Sequence, residues 1–253
     1  MIAAQLLTLT RRRLLMGAAA LLPLLVVLVV IAIRVLLHAH APGDHPPAGG
    51  GEGYDATLQG VTGVVGLLAV VLGATAGSSD SSSGVIRDLI STGRSRIVLV
   101  LERLPAPVLV TVAITLLGAL AAVLAGALAS GDTALPPLGG IARDVAGTAV
   151  VSAAMAVIAC GFASLVGSRG IAVGAILGWL LVGETALTFA LKALSDGSQG
   201  ILLGPAQGAI QDAITGDVPS EPAISLALAI PALAAWVALC VGLGAARTAR
   251  KEW

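Results

Sequence analysis

The chain has 253 residues, of which 57% are hydrophobic and only 11% charged, against roughly 25% charged residues in an ordinary soluble domain. A mean hydropathy of +1.00 excludes a water-soluble globule, and a formal net charge of zero gives no attraction for nucleic acid. No polar region is long enough to bury a core of its own, so a single membrane domain over residues 1–253 is expected.

A helix needs about 20 apolar residues to cross a hydrocarbon core about 30 Å thick. Six segments qualify, near 14–33, 58–76, 106–130, 145–166, 171–191 and 224–245. They lack the alternation of β-barrel strands, and an open sheet would leave backbone groups unpaired in lipid. The expected fold is all-α and polytopic.

Arg11, Arg12 and Arg13 precede the first span, whose apolar run is longer than the 7 to 15 residues typical of a signal-peptide core. A retained span is therefore expected, although Ala39-His40-Ala41 resembles a cleavage site. The connection from about His38 to Thr57 is rich in Gly and Pro and reads as a mobile loop. His38, His40 and His45 share it without a cysteine or a fixed geometry, so no metal site is expected.

After the second span comes a polar segment, with Ser81 to Ser83 as helix-capping residues and Gly93 as a stop. Between them Val85 and Leu89, and likewise Ile86 and Ile90, are four apart and form an apolar stripe, leaving Arg87, Asp88 and Ser91 on another face. Thr92, Gly93, Arg94 and Arg96 come next. A short amphipathic helix at the membrane surface is expected, either docking on a partner or resting on headgroups.

Glu184 is the one acid well inside a span, with Thr185 and Thr188 close by. Embedded charges cost about 2.5 to 3.5 kcal/mol on insertion scales, so they face a partner, a cavity or a transport path. Two readings stand: a substrate- or proton-linked acid, or a neutral Glu bonded to a neighbouring helix. Gly170, Gly174 and Gly178 repeat every four residues in the same span, as in helices that pack closely within a fold or at a subunit contact. The segment from Lys192 to Pro222 is too polar and Gly-broken to span, and a helix from near Pro205 with Leu203, Ile210 and Ile214 makes it a re-entrant or surface hairpin. Cys160 and Cys240 lie in apolar runs and read as packing residues.

Eleven of the 14 Lys and Arg residues cluster at one set of span ends: Arg11 to Arg13, Arg87, Arg94, Arg96, Arg103, Arg169, Arg247, Arg250 and Lys251. Basic flanks stay cytoplasmic, so both termini are expected inside and the span number even. Neither lysine stands after a glycine-rich loop in a Gly-Lys-Ser/Thr sequence, so the chain has no Walker A motif. It has no His-Glu-x-x-His or Gly-x-Ser-x-Gly either, and no enzyme chemistry of its own is expected.

Taken together, the six-span layout, Gly73-Ala-Thr-Ala-Gly77, the run Gly84-Val-Ile-Arg-Asp-Leu-Ile-Ser-Thr-Gly-Arg-Ser-Arg96, Arg103-Leu-Pro105 and the broken segment before the sixth span carry a resemblance. The chain resembles the permease subunit of type-2 ATP-binding-cassette (ABC) transporters, particularly the alanine- and leucine-rich permeases of actinobacteria. The resemblance implies a coupling helix near Val85 to Arg96 that docks on a separate ABC ATPase, which would hold the ATP and Mg, with no cofactor in this chain. It also implies an N-terminal interfacial helix through Ile2, Leu6 and Leu7, a homo- or heteromeric permease dimer in the plasma membrane, and export as the direction. The rival readings are an ATPase-independent secondary transporter or channel using Glu184, and a non-transporting assembly subunit.

Overall fold

The computed structural model describes residues 2–83, 96–130, 133–194, 198–215 and 224–250. All its regular elements are helical, and there is no strand among the described residues. Helices α1 (Ile2–Thr10), α2 (Arg13–His40), α3 (Gly50–Ser83), α4 (Arg96–Leu101) and α5 (Pro105–Leu128) are followed by α6 (Leu138–Val166) and α7 (Arg169–Gly178). A π turn (Trp179–Gly183) joins α7 to α8 (Glu184–Leu194), and a 3-10 turn (Ser198–Ile201) leads into α9 (Leu203–Thr215) before α10 (Leu226–Arg250). Six helical stretches are long and apolar enough to span a membrane: α2, α3 through Ser78, α5, α6, α7 with α8 through Leu191, and α10 through Ala249. The protein is a polytopic helical membrane protein.

Two clusters form the core, and α3 contributes to both. Val61, Val65, Leu68 and Leu72 face α2 and α5 through Val27, Val110 and Ile114. Ala69 and Val70 belong to the second cluster, with Met155 and Ala159 of α6, Ile176 of α7, and Leu233 and Cys240 of α10. The α3 and α6 spans are the most buried, and α2, α7–α8 and α10 form the exposed perimeter.

Small residues allow α3 and α6 to approach closely. A Cβ added at Gly73 would collide with the Ala156 carbonyl oxygen, and one at Gly77 with that of Cys160. Gly73-Ala-Thr-Ala-Gly77 is thus a small-xxx-small contact, of the kind that lets membrane helices pack through their backbones. Gly161 and Gly244 do the same between α6 and α10.

Several expectations change. The first connection is shorter than His38 to Thr57, because α2 runs to His40 and α3 begins at Gly50. Gly50 takes a φ of +69° and the Gly51 amide donates to Ala134 O at 3.0 Å, so this Gly-rich stretch is seated against the connection after α5. The second span does not stop at residue 76: α3 continues without a break through Gly77 to Ser83, since helical backbone bonds outweigh the capping preference of serines. The N-terminal helix is present, but its inward residues are Leu6 and Leu9, while Leu7 is exposed.

Candidate functional site

The α7–α8 span changes pitch immediately before its acid. The Glu184 amide donates to the Trp179 carbonyl, five residues back, closing the π turn. A π turn shifts the helical register of the residues after it, a device frequent at functional sites. Its effect here is that Glu184 is 5% exposed while Thr185 and its neighbours face outward. Thr185 instead donates to Leu181 O at 3.1 Å and takes no part in the Glu184 site.

Glu184 Oε1 accepts a hydrogen bond of 2.6 Å from the Gly204 amide, with the Leu203 amide as a second donor. These amides open α9, and the first amides of a helix have no intrahelical acceptor. A carboxylate there satisfies orphan donors and meets the positive end of the helix dipole. A Cβ at Gly204 would lie 3.3 Å from Glu184 Oε2, so glycine keeps the approach open. Glu184 thus bonds a neighbouring helix through that helix's backbone amides, and these bonds do not require the side chain to be neutral.

The same segment is tied to the sixth span. Trp236 Nε1 donates to Ile201 O at 3.1 Å, and the Trp179 and Trp236 rings lie 6.1 Å apart at 47°. Beneath them an apolar cavity of about 280 Å³ lies among α6, α7 and α10, lined by Phe162, Ile176, Leu203 and Cys240. On its other flank α9 meets α6 at Gly147, where a Cβ would stand 3.4 Å from Gln211 Cγ. The broken segment therefore reaches inward to the level of Glu184, about 10 Å of helix rise short of Leu191. Its helix starts at Leu203 and carries Pro205 in its first turn, where a missing amide hydrogen leaves no bond unmade.

The residues expected to form a coupling helix, Val85, Ile86, Arg87, Asp88, Leu89, Thr92, Gly93 and Arg94, lie outside the described residues. Arg96 opens α4. On either side of the segment the chain is anchored. Arg103, 2% exposed, donates through Nη1 to Gly77 O at 3.4 Å, and Ser164 Oγ donates to the same carbonyl at 3.2 Å. The helix-end cation Arg247 donates to Leu165 O, beside the left-handed Gly167 that terminates α6. In the sequence Arg103 stands out only as a basic flank; its Leu-Pro successor marks a helix start but not a buried guanidinium.

The glycine stripe behaves differently. A Cβ at Gly170, Gly174 or Gly178 would meet nothing among the described residues within 4 Å. The stripe does not pack within the fold, because its face is turned to the perimeter. His38 Nδ1 bonds His45 O at 2.8 Å and His40 Nδ1 bonds Leu36 O at 2.9 Å, contacts that close the end of α2. No group of three or more His, Cys, Asp or Glu side chains among the described residues could hold a metal ion. No protein-family model matches the chain, and no curated protein matches it.

Proposed function

We propose that the chain is the permease subunit of a type-2 ABC transporter, an exporter driven by a separate ATPase and paired with a second permease in the plasma membrane, both termini cytoplasmic. The supporting features are the six spans, the broken segment folded back before the sixth, and the concentration of Arg and Lys at the span ends that flank residues 84–95. Basic residues hold those ends inside.

The observation that carries the reading is the junction at Gly77. Arg103 from the entry to α5 and Ser164 from α6 bond its carbonyl oxygen, six residues before α3 ends at Ser83. A partner that displaces the Val85–Arg96 segment pulls on α3 and on α4 together, and the junction passes that displacement to α5 and α6. Nucleotide chemistry stays in the partner, for this chain has no phosphate loop. The carrier reading has less support, since Glu184 is already engaged by the start of α9.

The test is affinity purification from native cells in mild detergent. A Walker-motif ATPase is expected to co-purify, and its recovery to fall at least tenfold with Arg87→Glu plus Arg94→Glu while the chain keeps its thermal stability. A cytosolic ATPase bound through this segment also requires these span ends to be inside. Repeated absence of any ATPase from the intact chain, or full recovery with the double variant, would sink the coupling role and return Glu184 to the first line of tests.

A further inference from the structure

The apolar cavity beneath Trp179 and Trp236 has a neighbour. A second apolar cavity, of about 390 Å³, lies against α10 and is lined by Ile201, Leu228, Pro231, Ala235 and Leu239. Trp236 lines both. No charged side chain among the described residues lines either one. Their walls include α7 and α10, which with α2 are the least buried spans, so a molecule reaching these cavities comes from the bilayer. Together the two fall within the range of about 300–1,000 Å³ typical of small-molecule pockets.

The two indoles differ in a way that points to an occupant. Trp236 Nε1 donates to Ile201 O, whereas the Trp179 indole nitrogen is buried and has no hydrogen-bond partner among the described residues. A buried indole N–H usually finds an acceptor, and leaving it unpaired is costly. The ring orientation is set by Gly183, four residues on, where an added Cβ would lie 2.8 Å from Trp179 Cε3 and 3.2 Å from Cζ3. The benzo edge therefore lies against its own helix, and Nε1, on the opposite edge of the indole, is directed away from Gly183. Trp179 also stands near the middle of the span Arg169–Leu191, about 15 Å of helix rise from the nearer end. At that depth the ester groups of ordinary lipids are out of reach. Water is a poor substitute, because a buried water needs two to four polar partners and the lining side chains add only the Cys240 thiol and an indole already bonded.

We infer that the cavity between Trp179 and Trp236 binds an uncharged lipophilic molecule drawn from the bilayer, with a carbonyl or ether oxygen accepting from Trp179 Nε1. Its apolar body packs among Phe162, Ile176 and Cys240 and extends past Trp236 into the second cavity. Neutrality follows from the walls, which would leave an ionised group unpaired in a low-dielectric site. The site lies within this chain's own spans and does not rest on the ATPase reading.

The experiment is photoaffinity labelling of the full-length chain in lipid nanodiscs with a tritiated 2-undecanone analogue carrying a terminal diazirine. Saturable labelling of α6, α7 or α10 is expected. At equal mole fraction in the bilayer, 2-undecanone should compete at least fivefold better than n-undecane, which lacks the acceptor. Trp179→Phe keeps an aromatic ring without the N–H and should abolish that preference. Cys240→Leu fills the cavity and should reduce labelling at least fivefold, with Leu120→Phe on α5 leaving it unchanged. If Cys240→Leu loses its thermal transition, Ala175→Leu at the exposed rim replaces it, with the same loss expected. Equal competition by ketone and hydrocarbon in the wild type would mean that the cavity holds bulk acyl chain only. That result, labelling that does not saturate, a preference retained in Trp179→Phe, or undiminished labelling in the filling variant overturns the site.

Discussion

Glu184 is buried in a span, yet no basic side chain is needed to account for it. Its partners are the amides that open α9, and the residues just before it form the π turn that directs it there. The role of the side chain is as acceptor, which separates two substitutions. Glu184→Gln keeps a carbonyl oxygen near Gly204 and should leave α9 in place. Glu184→Ala removes the acceptor and leaves buried amides unpaired, which costs about 1–3 kcal/mol. Hydrogen exchange across Leu203–Gln207 should accelerate in the alanine variant and stay near wild type in the glutamine variant. Equal acceleration in both would mean that the negative charge, rather than the acceptor, holds the helix. The sequence marks this residue through the cost of an acid in an apolar run, but its partner lies 20 positions on, and neither the π turn nor the Gly204 amide has a distinctive local pattern.

At the scale of elements, two glycine repeats of the same spacing have opposite roles. Gly73 and Gly77 lie where α3 crosses α6, and added side-chain carbons there would strike backbone. Gly170, Gly174 and Gly178 face away from the fold. Overpacking a tight contact costs about 1–3 kcal/mol, so Gly73→Val should lower thermal stability in detergent by that order while Gly174→Val leaves it near wild type. A Gly73→Val chain as stable as wild type would show that α3 and α6 can separate without loss. Spacing alone does not tell these repeats apart, because either could face a neighbour. The six spans are legible from apolar length, for a bilayer sets that length whatever the packing. Their ends are less so: α3 extends in both directions through Gly, Glu, Asp and Ser, because tertiary contacts on one face and continuous backbone bonding sustain helix where local composition argues against it. The apolar cavity is hidden for a related reason. Trp179, Trp236 and Cys240 look like ordinary apolar residues of separate spans, and only the packing of α7 and α10 onto α6 gathers them.

For the whole molecule, the perimeter of α2, α7–α8 and α10 is apolar, and lipid suffices to cover most of it. Exposed leucines therefore give no argument for a second copy. The glycine stripe does, under the proposed permease dimer: a glycine within a helix costs about 1 kcal/mol relative to alanine, and side-chain-free positions gain little from lipid but allow another backbone to come near. The stripe is accordingly the face on which a dimer should close. In a chain freed of its two native thiols by Cys160→Ala and Cys240→Ala, Gly174→Cys should form a covalent dimer, with itself or with a companion permease, under mild oxidation in native membranes. Leu120→Cys on α5, 58% exposed but remote from the stripe in sequence and span, should remain monomeric. Equal cross-linking at both positions would indicate random collision, and a monomeric Gly174→Cys would place the stripe against lipid and require any dimer to close through α2 or α10. Cross-linking confined to Gly174 would set the two α7–α8 spans back to back, with each copy's apolar cavity and broken segment packed against its own α6 rather than shared across the contact.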